Sequence, residues 1–190
     1  DIHDTMEERR RFIRETLSHR VVQTANTPLP YHGDPDGKNF QEDLEVVRAT
    51  AEEYTGTGLN SLDEKGPAVI STLKVLNYLS DGIEEHAGEA VNYENMKGSD
   101  ALGDHQVAVI LGCQHYGDQE PEKWALYAGE DAGRGDTSGD TLNYGSDAAN
   151  AYLRHMQEDH TMQAILRAGR NDDASIVIAH TSALREDVPV

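Results

Sequence analysis

Two arginines and a glutamine stand close together near the C-terminus, in the segment HTMQAILRAGR over residues 160–170. Gln163, Arg167 and Arg170 have the spacing i, i+4 and i+7, which brings side chains to one face of an α-helix. Arginine carries a planar, permanently charged set of donors that matches phosphate oxygens. The pattern therefore predicts a phosphate-binding helix face. The alternative interpretation is a surface helix with two solvated arginines.

The chain is strongly acidic. Its 190 residues include 16 Lys and Arg against 35 Asp and Glu, for a formal net charge of −19. At molar salt the Debye length falls to about 3 Å, so this self-repulsion is screened and carboxylates serve as hydration sites. The composition favours adaptation to a high-salt cytoplasm over an acidic protein that docks on a basic partner. It also predicts that any groove for nucleic acid is small.

The cysteine count and the hydropathy pattern indicate the compartment. A single cysteine, Cys113, excludes an intramolecular disulfide and is typical of a reducing cytoplasm. No apolar run approaches the length of a membrane span, and no signal-peptide pattern is present. We expect a cytoplasmic protein with no membrane partner. Because the chain starts at Asp1 rather than Met, we expect it to be an excised piece of something longer.

The chain divides into two regions with different sequence patterns. Residues 1–66 are predicted to be a helical extension or insertion with loops, while residues 67–190 alternate short apolar strands with helices. The predicted helices are 4–20, 39–54, 73–86, 121–128, 146–158 and 160–169, and the predicted strands are 68–72, 90–93, 107–111, 141–144 and 175–179. This alternation predicts an α/β fold, a parallel sheet with helices on both faces, plus an N-terminal helical segment.

Ligands of such folds lie at the carboxyl ends of the strands. Polar residues follow three predicted strands, at Ser71 and Thr72, from Asn92 onward, and over residues 112–118. Together with the arginine helix, they are expected to form four loops on one rim of the sheet.

The order of these segments resembles the second RecA-like lobe of superfamily 2 helicases. The last motif of that family follows the pattern Gln/His-x-x-Gly-Arg-x-Gly-Arg on a helix, and residues 163–170 match it except that Leu166 replaces the first glycine. Residues 67–190 also resemble the C-terminal part of helicase-like replication proteins of haloarchaea and their plasmids or viruses. The resemblance implies that Arg167 and Arg170 reach the γ-phosphate of ATP held by the other lobe, and that Gln163 couples that site to nucleic acid.

The resemblance also assigns roles to three other segments. Ser71 and Thr72 would contact the nucleic-acid backbone, as would the loop that carries Asn95, Lys97, Gly98 and Ser99. The segment 109–115 stands where the family has a motif between ATP and nucleic acid, although the usual Thr, Asp and Arg-Gly are missing here. On this basis Gly112, His115 and Asp118 are the predicted nucleotide-binding residues.

One motif is missing from the 190 residues. No Gly-x-x-x-x-Gly-Lys-Ser/Thr sequence is present, so no P-loop can hold phosphates. ATP and Mg²⁺ would then be held mainly by a separate N-terminal helicase lobe, which together with DNA or RNA is the expected partner. We expect this chain to show no ATPase activity alone.

Other combinations of residues give weaker predictions. The nine histidines show no metal-ligand spacing, so no metal site is predicted. Cys113 with His115 has no orienting third group, and a small buried cysteine is the better interpretation. The basic cluster Arg9, Arg10, Arg11 and Arg14 is either a solvated face or a contact for phosphates or an acidic neighbouring lobe.

Three functions remain open from the sequence. The leading hypothesis is the helicase lobe described above. The second is a RecA-like fold that has lost catalysis and serves as an acidic interaction module. The third is a small-molecule enzyme of another doubly wound type, with its pocket at Gly112 to Asp118.

Overall fold

A five-stranded sheet forms the centre of the molecule. The computed structural model describes residues 5–29, 37–54, 57, 66–96, 100–135, 142–171 and 174–190. The strands are β1 (His19–Gln23), β2 (Ala68–Ser71), β3 (Glu89–Asn92), β4 (Val107–Leu111) and β5 (Ser175–His180). Their spatial order is β1-β5-β4-β2-β3, and every neighbouring pair is parallel.

Helices cover both faces of this sheet. They are α1 (Met6–Arg11), which continues as a π-helix (Phe12–Thr16), α2 (Lys38–Tyr54), α3 (Leu73–Tyr78), α4 (Ser80–His86), α5 (Gln119–Tyr127) and α6 (Asp147–Arg167). Phe40 and Val47 of α2 share a core with Val69 and Val109, on one face. On the other face, Ile165 of α6 packs in a core with Ile70 and Ile110. The predicted α/β class, with a parallel sheet and helices on both faces, is confirmed.

The two central strands have the composition that burial on both faces requires. All residues of β2 and β4 are buried, and their segments AVIS and VAVIL are almost entirely apolar. Neighbouring residues of one strand point to opposite faces, so a continuous apolar run fills both cores at once.

The N-terminal region differs from its prediction. The expected helix over residues 4–20 ends at Thr16, and His19–Gln23 forms β1, an edge strand that pairs with β5. Residues 1–66 therefore contribute a strand and, through α2, a covering helix to the same sheet. The predicted helix over 39–54 is confirmed as α2.

Three further elements differ from the predicted ones. The helix expected over 73–86 is two helices, with Leu79 between them at φ −99° and ψ 5°. The two helices expected over 146–169 are the single helix α6. Residues 142–144 of the expected strand 141–144 are not a strand, and residue 141 lies outside the described residues.

Part of the basic cluster holds the two ends of the chain together. Arg9 Nε lies 2.6 Å from Asp187 Oδ2, and the same carboxylate is 2.8 Å from Arg185 Nη2. Arg10 donates to the backbone carbonyl of Glu186 at 2.6 Å. Two of the four arginines of this cluster, Arg9 and Arg10, therefore have intramolecular partners, which neither interpretation from the sequence included.

Candidate functional site

The carboxyl edge of the sheet has a topological switch point between β4 and β2. The chain leaves β4 towards its neighbour β5 on one side, and leaves β2 towards its neighbour β3 on the other side. Connections that diverge in this way open a crevice at the carboxyl ends of the strands, where ligands of such folds bind. The loops that begin at Thr72 and at Gly112 border this crevice.

The floor of the crevice is closed by buried hydrogen bonds. Ser71 Oγ donates to the carbonyl of Leu111 at 2.8 Å, and Tyr93 Oη donates to the carbonyl of Gly112 at 2.8 Å. Ser71 and Tyr93 are fully buried, and burial raises the pKa of the Tyr93 hydroxyl. The predicted nucleic-acid contact Ser71 and the predicted nucleotide contact Gly112 thus lie together, but in the floor rather than on the surface.

Cys113 lies next to this floor and is fully buried. Burial raises the pKa of its thiol, so at neutral pH the group is a protonated thiol rather than a nucleophilic thiolate. The prediction of a small buried cysteine is confirmed.

A chain of hydrogen bonds joins His115 to Asp118. The backbone N–H of Gly117 donates to His115 Nδ1 at 2.9 Å, so in the neutral ring the proton is on Nε2. His115 Nε2 lies 3.2 Å from Tyr144 Oη, which donates to Asp118 Oδ1 at 2.7 Å. Arg134 Nη1 is 3.3 Å from Asp118 Oδ2.

This network fixes the loop after β4. The Tyr144 hydroxyl, and secondly Arg134, hold the pKa of the Asp118 carboxyl below its ordinary value, so Asp118 is ionised at neutral pH. Two of the three predicted nucleotide-binding residues, His115 and Asp118, are therefore brought together. Sequence reasoning missed Tyr144 and Arg134, because both follow Asp118 at long range and no local pattern connects them.

Two of the other predicted nucleic-acid contacts, Thr72 and Asn95, lie on the same edge of the sheet. Thr72 is half-buried and caps α3, since its Oγ1 accepts from the N–H of Val75 at 3.4 Å. Asn95 is exposed, and its N–H donates to Asn92 Oδ1 at 2.9 Å. Lys97, Gly98 and Ser99 lie outside the described residues.

The arginine motif does not form one helix face. Gln163 and Arg167 belong to α6, which ends at Arg167. Ala168 is extended (φ −66°, ψ 129°) and Gly169 has φ +60°, so the chain turns before Arg170. The prediction that Arg170 continues the face of Gln163 and Arg167 is wrong, because the spacing was extended through a glycine that ends the helix.

The arginine motif also lies at the opposite edge of the sheet from the crevice. The N–H of Gly169 donates to the carbonyl of Leu102 at 3.1 Å, ahead of β4, and Gly169 contacts Ser175, the first residue of β5. The helix of a parallel βαβ unit runs back along the sheet, so its C-terminal end meets the start of the next strand. The expectation that four loops share one rim is wrong. The three loops after β2, β3 and β4 lie at the carboxyl ends of the strands. Residues 168–170, the arginine turn, lie at the amino ends of the strands, the amino edge of the sheet.

The three predicted catalytic side chains differ in exposure and in their partners. Gln163 is exposed, Arg167 is half-buried, and Arg170 forms an ion pair with Asp100. The Arg170 side chain is 36% exposed and that of Asp100 80% exposed. Ion pairs as exposed as this contribute about 0–1 kcal/mol, so Arg170 can exchange this partner for a phosphate at little cost.

Two buried histidines lie at opposite ends of the strands, His180 at the carboxyl edge of the sheet and His19 at the amino edge. His180 ends β5, with Nδ1 3.0 Å from Thr24 Oγ1 and Nε2 3.9 Å from Asp43 Oδ1. His19 begins β1, and its Nδ1 is 2.7 Å from Ser175 Oγ. Burial lowers the pKa of both rings, an effect that Glu42 opposes only in part at His180.

These histidines make the stability of the fold pH-dependent. Their folded pKa values lie below the roughly 6.5 of the unfolded chain, so the unfolded state binds more protons as the pH falls. We expect the free energy of unfolding to decrease from about pH 6.5 towards pH 5, as measured by urea midpoints at a constant, high KCl concentration. The double variant His19→Gln/His180→Gln should flatten this slope, and an equally steep slope in the variant would refute the assignment.

The described residues form neither a metal-binding cluster nor a membrane-spanning helix. These residues contain no group of three or more His, Cys, Asp or Glu side chains placed to hold a metal ion. None of the helices within them combines the length and apolar character that crossing a bilayer requires.

Fold and edge geometry together define a doubly wound α/β protein with a polar crevice at one edge and an arginine turn at the other. Comparison with protein-family models, with curated proteins and with solved structures finds no match to the chain.

Proposed function

We propose that the chain is the second RecA-like lobe of a nucleic-acid-dependent ATPase of the helicase type, and that it is inactive alone. The observation that carries this proposal is the position of Gln163, Arg167 and Arg170. Gln163 and Arg167 lie in the C-terminal part of α6, and Arg170 follows in the turn before β5, the last strand of an all-parallel sheet; both guanidinium groups are at least partly accessible. These residue types in this order match the helicase motif, except that Leu166 stands in place of its first glycine.

The two edges of the sheet would then have separate tasks. A triphosphate and its Mg²⁺, bound mainly by another lobe, would approach the amino edge, where Arg167 and Arg170 stabilise the charge that develops on the transferred phosphoryl group. The triphosphate would then lie away from the three predicted nucleotide-binding residues at the carboxyl edge, Gly112, His115 and Asp118. Nucleic acid would contact the carboxyl edge near Thr72 and Asn95. Because α6 extends from one edge to the other, it is the element that would couple them.

The ATPase activity of the complete open reading frame tests this proposal. We expect a P-loop upstream of Asp1, ATP turnover that single-stranded nucleic acid stimulates, and no turnover by residues 1–190 alone. Sustained ATP hydrolysis by the purified chain, or a complete protein that contains no P-loop, would refute the proposal.

The acidic surface leads to a prediction about salt. We propose a halophilic archaeon, or one of its plasmids or viruses, as the source, because a net charge of −19 repels itself strongly in dilute buffer. Raising KCl from about 0.1 M to about 3 M should raise the midpoint of thermal unfolding by at least ~10 °C, since the Debye length falls from roughly 10 Å to less than 3 Å. Circular dichroism at 222 nm measures this midpoint, and a midpoint that does not change with KCl would contradict the halophilic origin.

An exposed aromatic patch favours a second candidate, an interaction module without catalysis. Trp124 and Tyr127 of α5 are 46% and 69% exposed, and Tyr152 of α6 stacks on Trp124 with ring centroids 5.3 Å apart. Exposed apolar patches mark protein contacts. This candidate gains if the reading frame begins near Asp1 and if binding of a protein partner shifts the fluorescence of Trp124, the one tryptophan of the chain.

A further inference from the structure

A cleft lies beyond the carboxyl ends of β1 and β5, against the first three turns of α6. Its volume is about 330 Å³, within the roughly 300–1,000 Å³ range of small-molecule sites. Pro28, Leu142 and Leu153 form its apolar walls. The carbonyl of Pro28 accepts from Thr181 Oγ1 at 2.7 Å, which attaches this wall to the end of β5.

Hydrogen bonds fix the side of the cleft that precedes α6. Asn143 and Asn150 both line it. The N–H of Tyr144 donates to Asn150 Oδ1 at 3.0 Å, and Asn150 Nδ2 donates to Asn143 Oδ1 at 3.1 Å. Tyr144 also belongs to the network of His115 and Asp118, so the cleft adjoins the loop after β4.

Gln157 presents its side-chain amide to this cleft. The residue is only 9% exposed and lines the cavity. Its backbone carbonyl accepts from Thr161 Oγ1 at 2.8 Å, but its side-chain amide has no hydrogen bond to any residue that the structure describes. This amide is accessible from the cleft, and it offers two donor hydrogens and one acceptor oxygen to a ligand.

Arg154 stands one helical turn before Gln157, on the same face of α6, and also lines the cleft. It is exposed and forms no ion pair within 4 Å with a described residue. Its acidic neighbour is Glu158, whose carboxyl pKa is raised by burial. Positive charge is scarce in this chain, with 16 basic against 35 acidic residues. A guanidinium at the mouth of a cavity is therefore an unusual feature, and it favours an anionic ligand.

We propose that this cleft binds one nucleoside monophosphate unit. The Gln157 amide hydrogen-bonds to the edge of the base, as amide side chains do to adjacent donor and acceptor groups on a nucleobase. The apolar walls cover the faces of the base, and the Arg154 guanidinium binds the phosphate. The unit is either a free nucleotide or one nucleotide of a single strand, and only the second source rests on the proposed function.

Direct binding to the ¹⁵N-labelled chain in high KCl tests the site. Each of the four ribonucleoside 5′-monophosphates is added separately, and the side-chain NH₂ signals of Gln157 are followed by NMR. We expect at least one nucleotide to shift them with saturation. Labelled single-stranded 12-mers are then titrated by fluorescence anisotropy. Tighter binding of a 12-mer than of its mononucleotide identifies a strand as the source, and binding of mononucleotides alone identifies a free nucleotide.

Two variants with matched controls complete the test. Gln157→Leu should weaken binding about tenfold, because it removes the amide at nearly constant volume. Arg154→Gln should weaken binding of all four nucleotides alike. Gln41→Leu and Arg48→Gln, both on the exposed face of α2, are the controls and should bind as the parent does. Binding by Gln157→Leu within twofold of the parent, or no shift of Gln157 with any nucleotide, would overturn the proposal whatever the ATPase assay gives.

Discussion

Replacing Arg167 or Arg170 by alanine in the complete protein is expected to lower nucleic-acid-stimulated ATP turnover at least ~100-fold. An arginine that meets the developing charge of the transferred phosphoryl group acts mainly in the transition state, so kcat should fall while the KM for ATP changes little. A 100-fold loss corresponds to about 2.7 kcal/mol. Steady-state ATP turnover at saturating nucleic acid gives both constants.

Arg48→Ala is the matched control for these variants. Like Arg170, Arg48 is exposed and paired with acidic neighbours, Glu45 at 2.5 Å and Glu52 at 3.9 Å, but it lies on α2, away from the arginine turn. The variant Asp100→Ala adds a second arm. If Asp100 only holds Arg170 until a phosphate arrives, its removal leaves kcat unchanged or raises it. Near-parental kcat in both arginine variants would refute the assignment of this turn to catalysis.

The buried part of the fold could be predicted from the sequence because its signal is local. The run VAVIL in β4 is apolar over its whole length, and SIVIAH in β5 is apolar between Ser175 and His180, which is the pattern of strands covered on both faces. The helix α2 shows its apolar stripe at the helical period. Each of these elements can be predicted from its own residues alone.

β1 could not be predicted, because its pairing partner is remote. Val21 and Val22 are flanked by polar residues, and the segment follows a helical stripe without a break in its periodicity. It becomes a strand by pairing with β5, where His19 stands opposite Ser175. Tertiary pairing of this kind overrides local propensity, and no short-range pattern records it.

The candidate site was only partly predictable for the same reason. His115 and Asp118 lie close in sequence on one loop, so the pattern indicated them. Tyr144 and Arg134, which complete their network, are brought in by the fold. Gln157 carried no signal either, because a glutamine in a helix normally faces solvent, whereas this one lines a cleft.

The turn at Gly169 leaves no room for a side chain, so a substitution there should destabilise the fold. Gly169→Ala should lower the free energy of unfolding by about 3 kcal/mol, of which about 1–2 kcal/mol is the cost of a left-handed conformation with a Cβ, here at φ +60°. The remainder comes from overlap, because a Cβ would lie 2.5 Å from Ser175 Cβ and 3.2 Å from the carbonyl oxygen of His105. Urea unfolding followed by circular dichroism measures the change.

Gly129→Ala separates the two causes. Gly129 has φ +77°, but a Cβ there would meet nothing within 4 Å, so this variant should lose only about 1–2 kcal/mol. Equal losses in the two variants would show that the turn at Gly169 is not packed against the starts of β4 and β5. The same turn sets where Arg170 points relative to Arg167. If the arginine turn serves ATP hydrolysis, Gly169→Ala in the complete protein should therefore lower kcat even under conditions in which the fold is fully populated.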